Sequence, residues 1–223
     1  MTHIVNPYAH RLGILRDWKS RWFTSDPKKY RQYLRADASI RELLNKRLRG
    51  AYVSHIEIER SQKDLRVLVH TARPGMVIGR SGENATKLKA DIANLLKRVS
   101  PNDTAQLHFD VIEIRSPESN AAVVGAMVAE GLEKRLPFRR VMKQTIDKVM
   151  ANRDVKGVKI TLSGMLGGGS MSRTESLKKG RIPLQTFRAD IDYAHTEARL
   201  PLGQIGIKVW IYKGEVFADK QGA

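Results

Sequence analysis

The most specific chemistry in this chain lies in six consecutive residues, Val77-Ile78-Gly79-Arg80-Ser81-Gly82. Two glycines bracket an arginine and a serine, and two aliphatic residues precede them. Lacking Cβ atoms, the glycines let the backbone come close to a phosphodiester chain. A helix starting at such a loop aims its unpaired N–H groups at the phosphates. Arg80 adds a cation. Standing alone, a Gly-x-x-Gly segment is usually a tight turn, so the elements around it decide what it does.

A second group is cationic. Arg139, Arg140 and Lys143 sit in a stretch with helical periodicity. At about 100° per residue the three share one arc. Met142, Ile146 and Val149 fall on another arc, with Val141 between. A short row of cations can track a phosphate backbone; the alternative is a solvated helix face. Further candidate RNA contacts are Arg11, Arg16, Lys19 and Arg21 near the N-terminus, and Gly167, Gly168, Arg173, Lys178 and Lys179 in and after a glycine run. The segment Ser163–Ser170 looks like a phosphate loop, but Ser170 stands where the lysine is needed, so it reads as a flexible loop against RNA. Asp190 and Asp192 project two carboxylates from one strand. With Arg181, Arg188 and Arg199 close in sequence, they read as ion-paired rather than as a Mg²⁺ site. The histidines at 3, 10, 55, 70, 108 and 195 show no ligand spacing, so no metal and no cofactor is expected. Trp18, Trp22 and Trp210 read as core or interface anchors.

The elements that must position these groups follow from the pattern. Asp26-Pro27 is an N-cap and first-turn proline, and Tyr30, Tyr33, Leu34, Ile40, Leu43, Leu44 and Leu48 continue a helix that Gly50 closes. Residues 52–60 and 65–71 read as a hairpin. A short helix at Pro74-Gly75, the glycine loop, and a helix carrying Leu88, Ile92, Leu95, Leu96 and Val99 come next. Residues 105–115 form a strand whose apolar parity slips at Ile112, which predicts a bulge or a change of packing environment. The order helix, strand, strand, short helix, loop, helix, strand is that of a type II KH module, which holds about four nucleotides of single-stranded nucleic acid against its glycine loop. Beyond it, helices are expected from Ser116 to about Arg135 and from Phe138 to Ala151. Alternation then predicts strands around 158–162, 187–193 and 205–211. The fold class is α+β: a three-stranded mixed sheet with helices on one face, followed by a second domain of two helices and a mostly antiparallel sheet. The expected organisation is a basic N-terminal arm at 1–24, the KH domain at 25–108, the second domain at 109–217 and a short tail at 218–223.

Bulk properties agree. The 223 residues carry 40 Lys+Arg against 23 Asp+Glu, a formal net charge of +17, with a pI near 10.3. That balance in a folding chain points to a polyanionic partner. With no cysteine, the chain has no disulfide framework, Cys-ligated metal or thiol nucleophile. No apolar run approaches a membrane span. The first residues lack the features of a secretory signal, which makes the cytoplasm the expected compartment. No Ser–His–Asp set or paired carboxylates mark a catalytic centre, no lysine stands out as a lyase amine, and there is no second KH copy or GTPase segment to suggest an assembly factor.

Four stretches carry a resemblance covering nearly the whole chain: Arg11–Ile14 with Trp18–Trp22; Ala72–Gly82; Phe138–Lys143; and Gly180–Tyr193 with Ile205–Gly214. In these it resembles the bacterial form of the small-subunit ribosomal protein S-three family. The resemblance implies a non-enzymatic structural constituent of the small-subunit head that binds small-subunit rRNA. It also implies a position at the channel through which mRNA enters, beside neighbouring small-subunit ribosomal proteins, among them the fourth and fifth. In that family, basic residues matching Arg139, Arg140 and Lys143 are linked to mRNA entering and unwinding.

Overall fold

The structure, a computed structural model, describes residues 5–61, 63–100, 105–201 and 203–217. They form two compact units. One runs from Trp18 to Arg115; the other joins the described residues up to Asp17 to those from Ser116 onward.

The first unit contains α1 (Pro27–Arg47), β1 (Ser20–Arg21), β2 (Val53–Arg60), β3 (Asp64–Thr71), α2 (Pro74–Ile78), α3 (Glu83–Val99) and β4 (Gln106–Glu113). The Asp26 side chain accepts from Lys28 N–H at 2.9 Å, which caps α1, and Pro27 supplies the preset φ of its first turn. The sheet order is β1-β2-β3-β4. β2 and β3 are antiparallel; β1 lies parallel to β2, and β4 parallel to β3. Ile56 and Ile58 of β2, and Leu65, Val67 and Val69 of β3, point to the helix side. There they join Ile40 and Leu44 of α1 and Leu88 and Ile92 of α3 in one core. The other sheet face carries His55, Glu57 and His70. The parity slip at Ile112 produces no bulge, because β3 and β4 stay in register from Asp64↔Gln106 to Thr71↔Glu113. Ile112 lies instead on an exposed position of an edge strand.

In the second unit, α4 (Ala121–Glu133) and α5 (Phe138–Met150) cover one face of an antiparallel sheet. Its strands are β5 (Gly157–Gly164), β6 (Arg173–Gly180), β7 (Ala189–Leu200) and β8 (Gly203–Glu215), in the order β6-β5-β8-β7. Val158, Ile160 and Leu162 of β5 and Ile205, Ile207, Val209 and Ile211 of β8 meet Val124 and Val128 of α4 and Val141, Met142, Ile146 and Val149 of α5. Gly131 on α4 lets Val141 seat against that helix: a Cβ there would fall 3.1 Å from a Val141 methyl.

Three boundaries differ from the sequence expectation. Residues 1–24 are not one arm. Residues 5–17 pack with the second unit, while Ser20 and Arg21 pair with β2 and add a fourth strand to the three expected. The division expected at 108/109 would cut β4, and it falls after Arg115. The helix expected from Ser116 starts at Ala121, because Asn120 caps it and residues 117–119 form a separate 3-10 turn. The expected tail at 218–223 lies outside the described residues.

Candidate nucleic-acid interface

The glycine loop joins α2 to α3. Val77 is fully buried and anchors it, whereas Ile78, Arg80 and Ser81 are exposed. Gly79 adopts φ 74° with ψ −175°, and Gly82 adopts φ 80° with ψ 8°. Both values lie where side chains are disfavoured. The two glycines differ in surroundings. A Cβ on Gly79 would meet the Asn84 side chain at 2.7 Å, and that side chain closes the loop by donating to Met76 O. A Cβ on Gly82 would meet nothing within 4 Å. Gly82 is the N-cap of α3, with no side-chain hydrogen bond to the first turn. The leading N–H groups of a 17-residue helix therefore face the open side of the loop, where anions are favoured. Arg80 has no ion-pair partner among the described residues.

In the second unit, Pro137 turns the chain into α5, and Arg139, Arg140 and Lys143 emerge on its solvent side. Arg140 and Lys143 have no carboxylate partner among the described residues. Arg139 is 73% exposed but leans on Glu175 Oε1 at 3.6 Å, which Arg173 also approaches at 3.2 Å. Both guanidinium groups lie 5.6 Å from the centre of the Phe138 ring. Gly167 packs on the same ring, its would-be Cβ 3.6 Å away. The glycine run thus forms a short turn against the start of α5, with Gly167 and Gly168 at positive φ and exposed. On β6, Lys179 reaches Asp147 of α5 at 2.8 Å, and Lys178, one residue away, projects from the opposite face. The start of α5, the glycine turn and edge strand β6 bring Arg139, Arg140, Lys143, Gly167, Gly168, Arg173 and Lys179 onto one side of this unit. The sequence reading missed β6, and with it Glu175, Asp147 and the ring of Phe138 as the parts that hold these cations.

Four expectations are corrected. Arg11 is no RNA contact: it is 1% exposed and donates to the carbonyls of Pro7, Leu184, Thr186 and Ala189 at 2.6–3.2 Å. Four carbonyls, two buried and two half-buried, take up its donors, and burial lowers its pKa. Arg16 is half-buried and paired at 2.6 Å with Asp190, so Asp190 finds its partner far away in sequence rather than in Arg181, Arg188 or Arg199. Asp192 accepts from Ala121 N–H at 2.8 Å and so caps α4 from another element, while Arg188 binds Glu215 at 2.6 Å. Finally, the histidines do converge. Hairpin pairing sets His55 opposite His70 with Glu57 beside them, and one donor atom from each lies within 4.8 Å of the others. Of the remaining basic candidates, Lys19 is exposed and Arg21 pairs with Glu59 at 3.1 Å. Trp210 and half-buried Trp22 are anchors as expected, the latter through Asp37 at 2.8 Å, but Trp18 is 62% exposed.

Comparison with known proteins agrees with both units. A family model described as KH domain matches residues 39–119, and one described as Ribosomal protein S3, C-terminal domain matches residues 128–211. The chain is 44% identical over 219 residues to "Small ribosomal subunit protein uS3" of Coxiella burnetii (strain RSA 331 / Henzerling II), covering 98% of this chain and 92% of that protein. It is 44% identical over 218 residues to the protein of that name from Clostridioides difficile (strain 630), covering 98% and 78%, and 45% identical over 216 residues to that from Ruegeria sp. (strain TM1040), covering 97% and 87%. A KH unit with an open glycine loop, a second unit matching the S3 C-terminal domain and this near-full-length identity together mean that the chain belongs to the uS3 family of small ribosomal subunit proteins, structural components rather than enzymes.

Proposed function

We propose that this chain is a structural constituent of the small-subunit head, that it binds small-subunit rRNA, and that it lines the channel through which mRNA enters. The observation that carries the channel role is the cationic row on α5. Arg140 and Lys143 stand exposed, with no carboxylate partner among the described residues, on a helix whose opposite side is locked into the core by Val141, Met142, Ile146 and Val149. A rigid row of cations can hold one strand of a structured message while its partner is drawn away; phosphate contacts of this kind position without reading sequence. The Gly79–Gly82 loop, with the free α3 N-terminus behind it, supplies a second and separate RNA contact. Its partners are then small-subunit rRNA, mRNA and neighbouring small-subunit proteins, including the fourth and fifth beside the channel, in the cytoplasmic ribosome and with no membrane role.

Two measurements test this. In a sucrose gradient at high and low Mg²⁺, the protein co-migrates with small subunits at about one copy each; a peak at the top of the gradient overturns the ribosomal role. Arg139→Ala with Arg140→Ala leaves incorporation intact and slows translation of messages carrying a hairpin near the point of ingress. Equal slowing on unstructured messages overturns the channel role and points to assembly.

A further inference from the structure

We propose that His55, Glu57 and His70 form a binding site for a borderline divalent transition cation of the Zn²⁺ class on the sheet face of the KH unit opposite its helices. The three residues come together through register. His55 and Glu57 alternate with core residues Ile56 and Ile58 along β2, so they share the other face, and His70 is the cross-strand partner of His55 on β3. The imidazole rings stack 4.2 Å apart at 11°. His55 Nε2 lies 3.2 Å from Glu57 Oε1, and His70 Nε2 lies 3.8 Å from Glu57 Oε2. A tetrahedral Zn²⁺ at about 2.0–2.1 Å from its donors sets them roughly 3.3–3.4 Å apart. The two nitrogen–carboxylate gaps, 3.2 and 3.8 Å to the two oxygens of Glu57, bracket that value, and the stacked rings turn out of parallel to aim both Nε2 lone pairs at one ion.

One donor of the cluster is also left unused among the described residues. His70 Nε2 is buried and has no hydrogen-bond partner, which is uncommon for a buried nitrogen. His55 Nε2 is hydrogen-bonded to Glu57 Oε1 and Ser54 Oγ lies 3.0 Å from His55 Nδ1, so a metal taking Nε2 moves the ring proton to Nδ1, where the Ser54 hydroxyl accepts it.

The charges around the cluster permit it. Arg21 Nη1 is 3.7 Å from Glu57 Oε2 but only 3.1 Å from Glu59 Oε1, so Glu59 retains it when Glu57 turns to a metal. Lys19 acts on His55 from the same side and tempers affinity. The side chains of His55, Glu57 and His70 are 27%, 18% and 20% exposed, which leaves a path in from solvent. Imidazole donors favour Zn²⁺ over Mg²⁺, and three protein ligands leave a fourth position for water.

The test uses the untagged full chain in equilibrium dialysis against Zn²⁺, with metal counted by mass spectrometry and imidazole ¹⁵N shifts followed during titration. One Zn²⁺ per chain is expected, with the resonances of His55 and His70 moving together and Mg²⁺ unable to compete. Glu57→Gln and His70→Gln each weaken binding at least ~100-fold, the upper end of what even an outer-sphere loss does. His195→Gln leaves binding unchanged. Absence of saturable binding, binding untouched by His70→Gln, or shifts confined to other histidines overturns the site. Should a variant fail to fold, the shifts in the unsubstituted chain decide alone.

Discussion

Gly82→Asp separates the RNA clamp from the fold. No heavy atom lies within 4 Å of a Cβ at this position, so the fold feels the substitution only through φ 80°. A left-handed residue costs about 1–2 kcal/mol, at the low end for Asp. The new carboxylate sits at the N-cap of α3, where it competes with phosphate for the first-turn N–H groups. At about 6 Å from a bound phosphate and an effective dielectric near 20, the bare repulsion is about 2.8 kcal/mol, and salt screening leaves about 1.5 kcal/mol. That corresponds to roughly tenfold weaker binding per engaged phosphate. The assay is fluorescence anisotropy on a single-stranded rRNA fragment at matched ionic strength, beside urea unfolding. Gly82→Ala reports the backbone cost and the added Cβ without the charge, and is expected to weaken binding less. Unchanged affinity for Gly82→Asp refutes the clamp.

Other perturbations read other parts. Gly79→Ala is a structural lesion: its Cβ meets Asn84 at 2.7 Å and its φ/ψ pair is nearly glycine-only, so about 1–3 kcal/mol is lost in urea unfolding. Arg11→Met strips four carbonyls of their donor, at about 1 kcal/mol each, or about 4 kcal/mol in all. Loss of rRNA affinity at unchanged stability would show instead that Arg11 contacts RNA. Asp37→Ala leaves Arg60 buried without its carboxylate 3.5 Å away and removes the acceptor of Trp22 Nε1, which should cost about 3–5 kcal/mol in the KH unit. A loss below ~1 kcal/mol by urea unfolding would mean that other groups satisfy Arg60.

The sequence by itself determined the order of the helices and of the core strands, and much of the exposed chemistry. Asp26-Pro27 starts α1, Gly79 and Gly82 bracket a loop before α3, and Arg140 and Lys143 point away from Met142, Ile146 and Val149. Caps, glycine conformations and helical periodicity act within a few residues, so they are legible in a linear string. Strand β6 was not legible: it is an edge strand of mostly polar residues, Arg173–Gly180, exposed along nearly its whole length, so no alternation marks it. The partners of charged groups were not legible either. Arg11 reads as one more basic residue until the fold sets four carbonyls around it, three of them more than 170 positions away. Asp190 chooses Arg16 over the arginines beside it in sequence. His55, Glu57 and His70 look scattered until the β2–β3 register aligns them. Burial and long-range pairing depend on which surfaces meet, and only tertiary packing decides whether a cation serves RNA or the fold.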